Sequence, residues 1–268
     1  MKLLCFLIFC CAISFKGVGQ TQNVDTLIAI GTHRLHFNIK KGSGTPILFE
    51  SGNGDDASVW IPLLNSIQDS TNATLITYDR AGLGQSEIDT QNVSFQQEIK
   101  DLELGLKKLG YTDSFFLVCH SFGGFYATQF SNRNKVTGAI FIDVGLPCFM
   151  TEEWCRSFVN AIPDETWNMI HTHKEGLYYV LKKLDSIAHY MADKTFPETI
   201  PLTYIAAEEI LPMVQANEVS KWKNCIKSFC SPPNHNYILA KGTSHKVWNK
   251  DPQLVVDEIT KLYKAVEK

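Results

Sequence analysis

The chain has 268 residues, of which 44% are hydrophobic and 20% charged, with a formal net charge of −3. A chain of this length buries one sizeable core. Its mild acidity and absence of a basic cluster exclude the electrostatic footprint of a nucleic-acid or anionic-membrane binder, which leaves small-molecule or peptide chemistry.

At the start, Lys2 precedes an apolar run from Leu3 to Ile13, followed by Gly17-Val18-Gly19 with small residues at −3 and −1 of a cut before Gln20. The run is too short to span a bilayer as a helix and has the layout of a secretory signal. Residues 1–19 are therefore expected to be a signal peptide, and the mature chain to be secreted or periplasmic without stable membrane insertion. Of the eight cysteines, Cys5, Cys10 and Cys11 would leave with the signal. Cys119, Cys148, Cys155, Cys225 and Cys230 remain, an odd set in which at least one is unpaired in a monomer. Cys119 is the expected free thiol. An oxidising compartment would allow the local pairs Cys148–Cys155 and Cys225–Cys230, but spacing does not decide between bridges and buried thiols. No C-x-x-C pair and no His-x-x-x-His run occurs, so no metal is expected.

Alternation over 26–30 and 34–40 predicts a hairpin turning at Gly31-Thr32. Residues 46–50 predict a buried strand that runs into Ser51-Gly52-Asn53-Gly54. A helix is expected over 58–69, then a strand over 73–78 that ends in Tyr78-Asp79-Arg80-Ala81-Gly82-Leu83-Gly84-Gln85-Ser86. Ile99, Leu102, Leu106 and Leu109 recur at helical spacing, with Gly110 as the stop. A strand over 115–119, a helix over 122–132 and a strand over 136–142 ending at Asp143 follow.

Residues 145–198 break this rhythm. They carry Trp154, Trp167, Tyr178, Tyr179 and Tyr190 and read as amphipathic helices without a strand. Strands at 201–206 and 236–240 and a last helix over 252–266 resume the alternation. The pattern predicts an α/β fold, a mostly parallel sheet flanked by helices, with a helical lid insertion. The core would comprise 20–144 and 199–268, and the cap 145–198.

The segment Phe115-Phe116-Leu117-Val118-Cys119-His120-Ser121-Phe122-Gly123-Gly124 carries the chemistry. A serine hydroxyl is a weak nucleophile unless the fold exposes it beside a base. A sharp strand-to-helix turn does so and needs small residues two positions before and after the serine, here Cys119 and Gly123. His245, in the loop between the strand at 236–240 and the last helix, is the expected base, since imidazole takes and returns a proton near neutrality. The other histidines fit less well. His171, His173 and His189 lie in the insertion, His33 and His36 precede the parallel strands, His235 starts a strand, and the side chain of His120 is expected to diverge from that of Ser121.

Together these segments resemble the α/β-hydrolases, over about residues 26–266. Residues 119–123 are similar to the family's G-x-S-x-G elbow, with Cys119 in place of the first glycine. Ser51-Gly52-Asn53-Gly54 resembles its His-Gly oxyanion loop, with Ser51 in place of the histidine, and Asp79 to Ser86 looks like its D-R-x-G-x-G-x-S turn. The resemblance implies a serine hydrolase with Ser121 as nucleophile, His245 as base, the backbone N–H groups of Asn53 and Phe122 as oxyanion donors, and no cofactor. It implies scaffold, not chemistry, for Asp79 and Arg80. Relatives usually place the triad acid just after the strand corresponding to 201–206, where this chain reads Ala206-Ala207-Glu208-Glu209-Ile210. The acid is therefore Asp143, which we favour, or Glu208 or Glu209. The implied activity is cleavage of an ester or other acyl bond in a small, partly apolar substrate through an acyl-enzyme. Amidase or peptidase action on the same triad, and a catalytically weak ligand-binding homologue, are the alternatives. Ser121 sets the chain apart from the haloalkane dehalogenases, which use an Asp nucleophile.

Overall fold

The structure, a computed structural model, describes residues 23–267. The expected signal segment lies outside the described residues. β1 (Val24–Ile30) and β2 (His33–Lys40) form the hairpin, in register from Val24↔Ile39 to Ile30↔His33. Gly31 takes φ 75° in its two-residue turn, a conformation that costs glycine nothing. β3 (Ser43–Glu50), β4 (Ala73–Tyr78), β5 (Phe115–His120), β6 (Val136–Ile142), β7 (Leu202–Ala207) and β8 (His235–Ala240) complete one eight-stranded sheet. Its order is β1-β2-β4-β3-β5-β6-β7-β8. Only the β1–β2 and β2–β4 pairings are antiparallel.

Both faces of the central strands are covered, so these strands read as continuous apolar runs. Along β5, Phe115, Leu117 and Cys119 pack on one side with α2 (Phe95–Lys108), α3 (Gly123–Ser131) and α8 (Val219–Phe229). Phe116 and Val118 pack on the other with α1 (Ile61–Thr71) and α9 (Pro252–Val266). α8 adds a helix that the strand-helix reading leaves out. Its Trp222, Cys225 and Ile226 share a buried face at three- and four-residue spacing, between lysines that mask the period.

Between β6 and β7 lie α4 (Glu152–Asn160), α5 (Asp164–His173), α6 (Glu175–Lys182) and α7 (Leu184–Met191), with no strand among them. Cys155, Val180, Leu181, Leu184, Ile187, Ala188 and Met191 form a buried cluster with Phe95, Phe122, Phe125 and Tyr126 of the core. The insertion also docks through backbone. Gly176 N–H donates to the Gly82 carbonyl at 3.1 Å. A Cβ on Gly176 would lie 2.2 Å from the Ala81 carbonyl oxygen, so that contact requires glycine.

Cys148, at the root of the insertion, is bonded to Cys225 of α8, with their Cα atoms 5.8 Å apart. The local pairs suggested by spacing do not form. Cys148 and Cys225 are 77 positions apart in sequence and meet because α8 packs beneath the insertion's first loop. Cys119, Cys155 and Cys230 are free, Cys119 as expected. Among the described residues, no helix is long and apolar enough to cross a membrane.

The chain runs from β3 outward to β4 and then returns to place β5 on the other side of β3. Glu50 and Cys119, near the carboxyl ends of these neighbours, are register partners. The loops that follow them therefore splay apart at one edge of the sheet, the position where open α/β sheets form their crevice.

Candidate active site

Ser121 follows β5 directly and holds φ at 55°. A non-glycine residue there is strained, and such strain persists only where the surroundings over-determine it. Ser121 N–H donates to the Ile142 carbonyl at 3.1 Å, and its own carbonyl accepts from Gly124 and Gly145 at 3.2 and 3.3 Å. The next helix starts so close to β3 that a Cβ on Gly123 would lie 2.6 Å from the Glu50 carbonyl oxygen. At the first small position Cys119 is fully buried, and burial pushes its thiol well above the ordinary range, so it is inert.

A second strained residue, Asp143, directly follows β6 and holds φ at 44°. Its Oδ1 accepts from Ala207 N–H at 3.1 Å, and its Oδ2 lies 2.7 Å from His245 Nδ1. His245 Nε2 lies 2.8 Å from Ser121 Oγ. With a carboxylate at Nδ1 the neutral ring carries its proton there, which leaves the Nε2 lone pair facing the hydroxyl. Glu208 and Glu209 are exposed and elsewhere. Glu208 accepts from Gly242 N–H at 2.7 Å and so braces the loop leading to His245, while Glu209 N–H donates to the Thr243 carbonyl at 3.1 Å.

His120 does diverge from Ser121, yet it belongs to the site. Its Nε2 lies 3.0 Å from the His245 carbonyl oxygen, and its ring centre is 4.4 Å from that of His245. Burial pushes its pKa well below the ordinary imidazole range, with the charge of Lys246, and of His245 once it takes a proton, acting in the same direction. The ring is therefore neutral and donates Nε2–H to that carbonyl. The alternation of side chains along β5 signals only that it points away from the serine. Its contact with a residue 125 positions later is tertiary.

Asn53 and Phe122 join Ser121 in lining one cavity. The Phe122 N–H sits at the start of α3, where the helix dipole favours negative charge. The loop that carries Asn53 is tied on several sides. Lys246 Nζ pairs with Asp55 at 2.9 Å, and Lys174 Nζ from the insertion donates to the Gly54 carbonyl at 2.6 Å. Asp79, as the resemblance implies, is scaffold. It accepts from Ala57 N–H at 2.8 Å and Gln85 N–H at 2.9 Å, and holds His36 Nδ1 at 2.8 Å. Behind the loop, burial pushes the Glu50 and Glu98 carboxyls each up to about 7, against the pull of Arg80 and of hydrogen bonds from Tyr78 and Tyr126.

The cavity above Ser121 measures about 320 Å³ and is walled by the insertion and by the segment after β7, including Met150, Trp154, Phe158, Leu181, Leu211 and Trp222. No charged side chain lines it. Of the insertion's aromatics only Trp154 and Phe158 face it. Trp167 packs on Tyr178, and Tyr190 packs on Phe95 and accepts from Gln129. The contribution of Leu211, Met213, Val214 and Trp222 is not visible in the 145–198 pattern, because those residues arrive through α8 and its preceding loop. Among the described residues no group of three or more His, Cys, Asp or Glu is placed to hold a metal ion.

A mostly parallel sheet, a strained serine after its fifth strand and a histidine–carboxylate pair at the same edge define a hydrolase of the α/β type. The chain belongs to the alpha/beta hydrolase family, whose profile matches residues 47–264. It is 30% identical over 228 residues to the uncharacterized protein YqjL of Bacillus subtilis, covering 82% of this chain and 85% of that one. Among solved structures it is similar to a thermophilic esterase from Thermogutta terrifontis, at 17% identity, TM-score 0.62, and coverage of 92% and 100% of the two chains. It is also similar to the haloalkane dehalogenase DatA of Agrobacterium tumefaciens, at 13% identity, TM-score 0.65, and coverage of 91% and 97%. At these identities the likeness to the two structures is one of fold.

Proposed function

We propose that the protein is an exported serine esterase acting on small substrates with an uncharged, apolar acyl group. The observation that carries this reading is the chain of contacts from Asp143 through His245 to Ser121, at 2.7 and 2.8 Å, beneath an apolar cavity. Ser121 Oγ attacks the carbonyl carbon as its proton passes to His245 Nε2, while Asp143 holds Nδ1–H and balances the imidazolium. The carbonyl oxygen gathers negative charge and is held by the N–H groups of Asn53 and Phe122. Collapse expels the alcohol, which takes the proton from His245. Water then attacks the acyl-Ser121 ester with His245 as base, releasing the acid and restoring the serine.

Residues 145–198 serve in this reading as a cap that supplies most of the acyl pocket. The cavity of about 320 Å³ has room for a small acyl chain. The absence of a charged wall favours a neutral ester over a peptide read by its terminal charge. Export rests on residues 1–19, and the Cys148–Cys225 bond suits an oxidising compartment.

The test is hydrolysis of p-nitrophenyl butyrate by the wild type and by Ser121→Ala. We expect the variant to lose turnover by at least about 10⁴-fold while keeping its melting temperature within a few degrees. A folded Ser121→Ala that still turns over the ester contradicts the reading. A wild type inert on esters but active on amides shifts it to an amidase.

A further inference from the structure

We propose that Arg80, which belongs to the turn after β4, is a positioning residue that aims the Asn53 N–H at the oxyanion. The inference rests on the serine-hydrolase reading above and assigns the device that orients one of its donors. Arg80 is buried, and its guanidinium donates through Nη1 to the Ser51 carbonyl at 2.7 Å and through Nη2 to the Gly52 carbonyl at 2.5 Å. Within one trans peptide unit the C=O and the following N–H point in opposite directions. There are no cis peptide bonds among the described residues. Fixing the Gly52 carbonyl on Arg80 therefore turns the Asn53 N–H of the same unit away from Arg80, and Asn53 lines the cavity beside Ser121.

The guanidinium is itself held so that it cannot rotate out of this task. Glu50 Oε2 lies 3.5 Å from Nη1, and Glu50 Oε1 is fixed by Tyr78 Oη at 2.6 Å. On another side the Tyr126 ring lies 4.6 Å from the guanidinium carbon, and its hydroxyl donates to Glu98 at 2.6 Å. Glu50, the Tyr126 face and the two accepting carbonyls thus surround a charge that arginine cannot shed. The pair of carbonyls spans two donors of one planar fork, which a lysine ammonium cannot reproduce. A scaffold role alone would need a charge at this place, whereas aiming a peptide plane needs the fork.

The experiment is Arg80→Lys in the full mature chain, read by kcat and KM on p-nitrophenyl butyrate and by inhibition with an alkyl trifluoromethyl ketone, whose Ser121 adduct carries an oxyanion. Because removing an oxyanion donor outright costs about 10²–10³-fold in kcat, misaiming one is expected to lower kcat by roughly 10–100-fold. KM should stay within about twofold, and the ketone inhibition constant should rise in step with the loss in kcat. In the wild type, adduct formation should shift the ¹⁵N–¹H resonance of Asn53, a measurement that holds even where Arg80→Lys does not fold. A folded Arg80→Lys with unchanged kcat, an equal loss in binding of substrate and ketone, or an unmoved Asn53 resonance overturns the proposal. If Ser121→Ala is inactive while any of these outcomes is found, the serine reading stands and the role of Arg80 falls, together with the Asn53 donor where its resonance is unmoved. If Ser121→Ala remains active, the serine-hydrolase reading falls first.

Discussion

The carboxyl edge of the sheet and the helical insertion above it are built by opposite means. At the edge, positions are set by backbone and by direct polar contacts: two non-glycine residues, Ser121 and Asp143, sit at positive φ, and both Asp143 oxygens, both His245 ring nitrogens and the Ser121 hydroxyl have partners. In the insertion, positions are set by apolar packing, with Cys155, Val180, Leu181, Leu184, Ile187 and Met191 as the buried centre. The helices there show the same contrast. α4 has a side-chain cap from Thr151, but α5, α6 and α7 have none. Such helices owe their place to tertiary contact more than to local signals. The difference teaches that backbone and polar contacts hold the edge, while apolar packing holds the insertion, which in the proposed reading selects the acyl group.

Substitutions should therefore separate into effects on kcat at the edge and effects on substrate choice in the insertion. The largest expected effect is at the acid. Asp143→Asn should lower kcat by roughly 10³–10⁴-fold, whereas Glu208→Gln and Glu209→Gln should each stay within about threefold of wild type on a chromogenic ester. Equal losses at Asp143 and at either glutamate would erase the contrast between a paired and a bracing carboxylate.

The bond between the insertion's root and α8 comes next. Replacing Cys148 and Cys225 together by serine should cost about 2–4 kcal/mol, seen as a melting temperature lower by roughly 5–15 °C. The kcat on a small ester should change little. A collapse of kcat without loss of stability would mean that the bond shapes the edge and not merely the insertion's root.

The buried carboxyls behind the oxyanion loop give a pH signature. Glu98 titrates at about 7 in the folded protein because burial disfavours its charge, against an ordinary 4.5. The folded state therefore binds more protons than the unfolded state between those values, and stability falls as pH rises through that window. Glu50 shares this sign, and so does His36, whose raised pKa gives stability that is lost as pH rises. His120 opposes them, since its lowered pKa gives stability that is lost as pH falls. Glu98→Gln should flatten the wild-type slope by up to about 1.4 kcal/mol per pH unit between pH 4.5 and 7. Chemical denaturation at several pH values reads this difference, and an unchanged slope would count against a buried proton at Glu98.

The smallest effects belong to the insertion. Each methylene added to the acyl group should raise kcat/KM by up to about fourfold, from about 0.8 kcal/mol per buried CH₂, until the cavity is full. A terminal carboxylate on the acyl chain should remove that gain. Trp154→Ala should shift the preferred length and leave kcat on acetate nearly unchanged. A length profile that is flat, or that improves with a charged tail, would break the assignment of the cavity to an apolar acyl group.

Much of the edge was legible because its signals are local. Small residues at 119 and 123, the glycines of 82 and 84, and the apolar runs of β3 to β6 each follow from backbone geometry that any chain making this turn must satisfy. The hairpin at Gly31 and the interruption at 145–198 were readable for the same reason. What was not legible is tertiary. The choice among Asp143, Glu208 and Glu209 depends on where β6 ends relative to the β8 loop, and all three carboxylates are within reach in sequence terms. The role of His120, the Cys148–Cys225 pairing and the pocket residues brought by α8 likewise depend on contacts between distant segments. Arg80 lay in a visible motif, but its action through a single peptide plane becomes apparent only when the carbonyls it holds are known.

The central claim is that Ser121 forms a covalent acyl-enzyme. Acid-quenching the wild type during turnover of p-nitrophenyl butyrate, followed by peptide mass analysis, tests it directly. The account predicts a butyryl mass increment on the peptide containing His120 and Ser121, localised to Ser121 and enriched in Asp143→Asn if deacylation slows more than acylation. A butyryl group found at another residue, or steady turnover with no adduct on that peptide at any quench time, would contradict it.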